Sequence, residues 1–330
     1  MEGEKENVAN GGKVKLNVKD KKILFELDKN CRQTNAQIAK VVGLSKEGVA
    51  YRIDKLEEQG VITQYQAVVN LSKLGVIAFK IYLSFQYLTS DKLKSIIEKL
   101  KSKKEAKWIV STKGSWDMII TLETDSLQKV DRLKDEIFSL FGKHIREKTL
   151  TIHIGAENYS RNYLSNLNNR QSREIYGEYK KIEIDDIDLR IIGKLSENAR
   201  RSIVDLAEEL KTTPRIVDYR IKQLIKNKII TGFKIALGYD KLGIQFYKVF
   251  LSLDNPKVEE IKKLIGYFES NKNIIHHVKV LGNWDLEPEF EVYSEQEFDA
   301  ILQDIKDKFS DVIKKAEIIT ISKEHKFVYF

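Results

Sequence analysis

Between residues 20 and 60, apolar positions recur at helical spacing. Ile23, Leu24 and Leu27 mark one short helix. Ile38, Ala39 and Val42 mark a second, with Thr34 placed to cap it, and Val49, Ile53 and Leu56 a third, opened by Ser45. Gly43 supplies a tight turn between the last two, and Gly60 ends the third. From Val61 the period changes: Val61-Ile62-Thr63-Gln64-Tyr65 through Val69 alternates like a small hairpin or wing. Two short helices joined by a turn and followed by a wing predict a winged helix-turn-helix.

Beyond Lys73 the pattern alternates strand and helix. Residues 76–85 place Ile77, Phe79, Ile81, Leu83 and Phe85 on one strand face, and residues 91–101 turn Leu93, Ile96, Ile97 and Leu100 inward. Strands follow at 107–112 and 117–123, then a helix over 126–141 and a last strand at 148–154. That β-α-β-β-α-β order predicts a ferredoxin-like fold.

The whole plan then occurs again. An offset of 168 positions carries Ile23, Leu27, Asn30 and Arg32 onto Ile191, Leu195, Asn198 and Arg200, and Tyr51, Arg52 and Ile53 onto Tyr219, Arg220 and Ile221. With no gap it also carries Gly114, Trp116 and Asp117 onto Gly282, Trp284 and Asp285. The chain therefore reads as an α+β protein in which two winged helix-turn-helix domains alternate with two ferredoxin-like (βαββαβ) domains. The expected division is a disordered tail at 1–15, winged unit one at 16–70, ferredoxin-like domain one at 71–155, a polar linker at 156–183 with partial helix, winged unit two at 184–238 and ferredoxin-like domain two at 239–330.

Composition agrees with several domains and narrows the chemistry. The chain has 330 residues, 42% of them hydrophobic, with three prolines and one cysteine, Cys31. One cysteine excludes an internal disulfide framework and a multi-cysteine metal site. No apolar run reaches the ~20 residues of a membrane span, and the polar start shows no secretory signal, so a cytoplasmic location without membrane contact is expected. The net charge of +8 permits a polyanionic partner.

The arrangement resembles the Lrp/AsnC (feast/famine) transcription regulators. The residues that carry the resemblance are Arg32, Ile38-Ala39, Gly43-Leu44-Ser45, Arg52-Ile53, Leu56, Gly60-Val61-Ile62 and the turn Gly114-Ser115-Trp116-Asp117. The second copy keeps Arg200, Leu206-Ala207, Arg220-Ile221, Leu224, Ile230 and Gly282-Asn283-Trp284-Asp285, and has Lys211 and Lys228 where the first has glycines. Members usually carry one copy per chain and dimerise through the ferredoxin-like domain, so two fused copies are a departure. The resemblance implies binding of double-stranded DNA by the third helix of each winged unit. It also implies sensing of a small effector, often an amino acid, near the Gly-x-x-Asp turn.

The candidate DNA-binding residues are Ser45, Lys46, Glu47, Tyr51 and Arg52 in the first unit, and Thr213, Arg215, Tyr219, Arg220 and Lys222 in the second. Charge separates the two. Ser45–Gln59 holds Lys46, Arg52 and Lys55 against Glu47, Asp54, Glu57 and Glu58; Thr213–Lys228 holds Arg215, Arg220, Lys222, Lys226 and Lys228 against Asp218. The second helix is expected to grip DNA harder.

The candidate effector residues are Ser115, Asp117, Asn283 and Asp285 at the turns, with Glu287 and Glu289 adding preference for a basic ligand. Each has a structural alternative. The glycines serve a sharp turn, the aspartates cap it, and the tryptophans pack in a core or pairing surface. Glu287 and Glu289 are solvent-exposed beside Pro288 on an edge strand, or else pair with Lys248 and Lys80. The sensing domains are expected to pair within one chain or between chains, through faces carrying Lys80, Tyr82, Ser84 and Lys248, Phe250, Ser252. Apart from the adjacent His276 and His277, whose side chains point to opposite faces of a strand, the five histidines show no metal-ligand spacing, and there is no nucleotide or nucleophile motif, so neither metal, cofactor nor enzymatic activity is expected. Two alternatives stand beside the regulator: an enzyme like the sirohaem decarboxylases, which resemble the same family and for which only His276 and His277 are suitably placed, and a protein-interaction module.

Overall fold

The computed structural model of the protein describes residues 12–165 and 170–328. The first repeat runs α1 (Val18–Lys29), α2 (Asn35–Val42), α3 (Lys46–Glu58), β1 (Ile62–Val69), β2 (Ile77–Phe85), α4 (Ser90–Ser102), β3 (Ala106–Gly114), β4 (Met118–Thr124), α5 (Leu127–Phe141) and β5 (Ile145–Tyr159). A short strand, β6 (Ser172–Tyr176), follows. The second repeat runs α6 (Asp186–Glu197), α7 (Ile203–Glu209), α8 (Pro214–Lys226), β7 (Ile230–Leu237), the single turn α9 (Tyr239–Leu242), β8 (Gln245–Leu253), α10 (Val258–Ser270), β9 (Ile274–Leu281), β10 (Leu286–Val292), α11 (Glu295–Lys308) and β11 (Ile313–Phe327).

The expected caps open the helices. Thr34 accepts from the amide of Gln37, Ser45 from that of Gly48 and Thr213 from that of Ile216. Gly43 and Gly60 stand at φ +69°, and the second repeat keeps the same left-handed backbone with lysines, Lys211 at +54° and Lys228 at +55°.

The wing differs from the expectation of a local hairpin. β1 pairs antiparallel with β7 of the other repeat, Tyr65 opposite Ile235 and Ala67 opposite Phe233. The reason lies in its sequence. Tyr65 through Val69 are all buried, so both faces of the strand need cover that one small unit cannot supply. Reciprocal bonds fasten the crossing. The Ala199 amide donates to Tyr65 O and the Cys31 amide to Phe233 O, while Arg32 donates to Ala199 O and Arg200 to Cys31 O. Cys31 is a buried packing residue at this crossing, its thiol pushed up to about 12 by burial.

The two ferredoxin-like sheets have strand orders β5-β2-β4-β3 and β11-β8-β10-β9, and they join at both edges. Each last strand is long because it serves both sheets. β5 pairs with β2 over Ile145–Ile152 and with β9 over Ile152–Asn158; β11 pairs with β8 from Ile313 and with β3 up to Phe327. The ladder closes into an eight-stranded barrel with approximate two-fold symmetry. Phe79, Ile81 and Leu83 face the outer helices, where α4 and α5 bury them with Ile97, Leu100, Leu133 and Phe141. Lys80, Tyr82 and Ser84 alternate to the barrel side.

Gly114 and Gly282 sit where the halves meet. A Cβ on Gly114 would lie 2.6 Å from Ile318 O, and one on Gly282 would lie 2.7 Å from the Thr151 methyl. These glycines therefore admit the other half's long strand as well as making a turn.

Residues 156–183, expected as a partly helical linker, are largely built into the fold. β5 reaches Tyr159, β6 pairs back upon it, and the Ile182 amide donates to Lys73 O at 2.8 Å. Their helical content is the one turn Asn162–Leu164, and residues 166–169 lie outside the described residues. Of the expected tail, residues 1–11 also lie outside them, whereas Val14 donates to Lys241 O at 2.7 Å. Among the described residues, no helix is long and apolar enough to cross a membrane.

Candidate DNA interface and axial cavity

α3 and α8 each rest an apolar face on the core through Val49, Ile53, Leu56 and Val217, Ile221, Leu224. Their opposite faces expose Lys46, Glu47, Tyr51 and Asp54 on one helix, and Arg215, Tyr219 and Lys222 on the other. Ser45 and Thr213 stand at the helix N-termini and cap them. Arg52 and Arg220 have a defined partner within their own units. Arg52 pairs with Asp20 at 2.6 Å, and Arg220 with Asp185 at 2.7 Å and Asp188 at 3.1 Å. Asp20 and Asp188 are repeat equivalents, so the same bridge ties the first helix to the third in both copies. Lys222 pairs with Asp218 at 2.6 Å on the helix surface.

At the sensing turns, Asp117 accepts the Phe85 amide at 2.6 Å and Asp285 the Leu253 amide at 2.8 Å. Both carboxylates thus cap their own first strand. Ser115 is half-buried and Asn283 is exposed. Trp116 and Trp284 are buried and meet with centroids 6.3 Å apart, in a cluster with Tyr82 and Phe250 that fills the seam between the halves.

Glu287 and Glu289 are buried, and β10 is paired on both sides, so exposure on an edge strand does not describe them. Glu287 receives Lys80 at 2.6 Å, Lys248 at 2.9 Å, the Tyr82 hydroxyl and the Trp284 indole N–H at 2.9 Å; Glu289 receives Lys248 at 2.6 Å. Lys80 and Lys248 are repeat equivalents, whereas the glutamates replace Ile119 and Thr121. One half thus supplies both counter-ions for a symmetric pair of lysines. Burial alone would raise Glu287, but Lys248 and Lys80 hold it well below the usual carboxylate range. Burial pushes Lys80 down to about 8 against the pull of Glu287.

These groups border a cavity of about 390 Å³ between the barrel and the β1–β7 ladder. Glu289 lines it; the turn residues Ser115, Asp117, Asn283 and Asp285 do not. Its wall includes Lys80, Trp108, His153, Lys234 and His276. Both ring nitrogens of His153 and Nδ1 of His276 are buried without a hydrogen-bond partner. Burial pushes His276 down to about 3 and His153 well below its ordinary value, and the two lysines add to both shifts. His277 points to the other face, where its Nδ1 meets the Tyr159 hydroxyl at 2.9 Å. Beside the cavity, buried Arg161 pairs with Asp28 at 2.7 Å and Glu291 at 2.8 Å, joining the first winged unit, the connector and the second sensing half.

Sequence reading missed Arg161, Lys234 and His153, because nothing local marks them. Their partners lie 133 and 130 residues away for Arg161 and 76 for Lys234. Lys80 and Lys248 carried a usable signal: the same lysine in an otherwise apolar strand of both repeats.

Fold and exposed helix faces together define a tandem helix-turn-helix protein with paired ferredoxin-like domains. Residues 16–63 match the winged helix-turn-helix DNA-binding family and residues 184–225 the AsnC-type helix-turn-helix domain. The transcriptional regulator FL11 of Pyrococcus furiosus is 30% identical over 125 residues, covering 37% of this chain and 80% of FL11. LrpA of Bacillus subtilis is 30% identical over 123 residues, covering 37% of this chain and 89% of LrpA. The chain belongs to the Lrp/AsnC family of DNA-binding transcription regulators. Each of these regulators aligns with about one repeat. The crystal structure of the sirohaem decarboxylase NirDL superposes over 94% of this chain and 93% of its own, with a TM-score of 0.61 at 14% identity, a likeness of fold.

Proposed function

We propose that this regulator reads double-stranded DNA with two unlike recognition helices held on one frame, that α8 supplies most of the affinity, and that a small metabolite of amino-acid size modulates binding from the sensing half. The observation that carries it is the contrast between the exposed faces. Arg215 stands exposed on α8, with Lys226 and Lys228 at its far end, whereas acidic Glu47, Asp54, Glu57 and Glu58 surround Lys46 and Lys55 on α3. Phosphate neutralisation sets affinity, so the basic helix dominates. Arg215 is the candidate base contact, since its planar fork can bind guanine bidentately. Lys222 suits phosphate; Arg52 and Arg220 serve mainly to hold the helices at their angle. The sensing halves pair within the chain, so the reading needs no second chain, and a cytoplasmic location follows from the role.

The test is fluorescence anisotropy of the full chain on a selected duplex. Arg215→Ala is expected to weaken binding about tenfold or more, at about 1–3 kcal/mol for a lost bidentate contact, and Lys46→Ala much less. A larger loss from Lys46→Ala would overturn the asymmetry, and no DNA binding by the unmodified chain at low salt would favour the interaction module.

The fold likeness supplies a second reading, because NirDL was also solved with an iron-uroporphyrin III analogue, and His153 and His276 border a cavity here. About 390 Å³ lies at the small end for ligand pockets. Three carboxylates, Glu123, Glu289 and Glu324, share the wall and oppose a polycarboxylate macrocycle. The regulator without catalysis is the stronger reading. A tetrapyrrole absorbance band in purified protein would reverse that order.

A further inference from the structure

The cavity lies on the approximate two-fold axis. Residues related by the repeat both line it: Gln66 and Lys234, Trp108 and His276, Thr121 and Glu289. In a dimer of identical chains each pair would be two copies of one residue, and an axial ligand would meet the same groups in two orientations. Here no member of the three pairs matches its mate. Duplication inside one chain has let the two walls diverge, so the cavity distinguishes the ends of a ligand.

Lys234 decides the class of that ligand. It is buried, and its ammonium donates to the neutral Oδ1 of Asn158 at 2.8 Å. Among the described residues no carboxylate comes within ion-pair distance of it, whereas Lys80 and Lys248 each hold a glutamate. Arg161, the adjacent cation, is already matched by Asp28 and Glu291. A buried ammonium held only by an amide is costly and gains most from an incoming anion. Burial and the nearby Arg161 push Lys234 down to about 7, against the smaller upward pull of Asp28 and Glu291, which Arg161 already holds. The rest of the wall is mixed: Leu71, Ile175, Leu237 and Phe246 form an apolar stretch, while Glu123, Glu289 and Glu324 disfavour a second anionic group. The ligand must therefore carry an anionic end and an apolar body.

We infer that the axial cavity binds one organic carboxylate per chain, in a single orientation, with its carboxylate on Lys234 and its body along the wall of Leu71, Ile175 and Phe246. Lys234 belongs to β7, the strand shared by the two winged units, so the occupant touches the element that fixes the recognition helices relative to each other. The inference deepens the metabolite-sensing part of the proposed function, yet binding is measured without DNA. Calorimetry on the full chain would use acetate, succinate, phenylacetate and the L-amino acids, with the amide of each acid that binds as the neutral control and inorganic phosphate as a simple anion. The expected result is at least one organic acid binding at one site per chain, at least tenfold weaker binding of its amide, and no binding of phosphate. Lys234→Gln, which copies Gln66 of the other wall, is expected to lose tenfold or more. Should that variant fail to fold, the acid–amide comparison on the unmodified chain decides alone. Binding by none of the acids, two sites per chain, phosphate binding as tight as the acid, or equal affinity for acid and amide or for the variant would overturn the site. Loss of DNA binding in Arg215→Ala with carboxylate binding intact bears on the DNA reading alone.

Discussion

Lys211 and Lys228 adopt the left-handed backbone that glycines adopt in the first repeat, at φ +54° and +55°. A side chain there costs about 1 kcal/mol. Lys228→Gly is therefore expected to raise the urea midpoint by that amount of stability, and an unchanged or lower midpoint would contradict it. Lys234 gives a pH signature. Its folded value of about 7 lies below the ordinary 10.5, so between them the unfolded chain holds a proton that the folded chain lacks. Its contribution to stability rises with pH across that window, and below pH 7 the fold bears the full penalty. By thermal unfolding, Lys234→Gln should gain on the wild type near pH 6 and lose that advantage toward pH 10; an advantage that grows with pH would count against the assignment. At this scale the sequence exposed the caps and the apolar faces, which depend on neighbours a few positions away. It could not expose what distant partners decide. Pro288 between Glu287 and Glu289 favours an exposed edge strand over pairing with Lys80 and Lys248, and only the closed barrel, which brings both lysines onto Glu287, decides for pairing.

The elements were legible wherever their period was clean. The predicted strand at 148–154 is the middle of a strand that runs from Ile145 to Tyr159, because its far half pairs with β9, a partner no local pattern announces. The connector misled for a related reason. It is polar, and polar composition reads as solvated, yet Arg161 and Arg173 within it are buried, and Arg161 is matched by carboxylates of α1 and β10. Arg161→Met would leave Asp28 and Glu291 buried without their cation, at a cost of about 3–5 kcal/mol. Urea unfolding of that variant is expected to show a loss of this size, and a loss below about 1 kcal/mol would mean that the connector does not pin the two halves together.

In the whole molecule, the duplication builds a covalent counterpart of a dimer, with crossed wing strands at one end and a closed barrel at the other. Neither winged unit is complete alone, since β1 of residues 16–70 takes its partner from β7. That segment expressed by itself is expected to self-associate, and a monomer with a cooperative thermal transition in sedimentation and calorimetry would show the crossing to be dispensable. The frame also holds two readers of different charge on one duplex, which makes the form of the DNA site the central claim. Its most direct measurement is selection of sites from a random duplex pool by the full chain, followed by sequencing. The account predicts a non-palindromic motif with one strongly specified half, and that half loses its specificity in Arg215→Ala. An inverted repeat with two equally specified halves would contradict it.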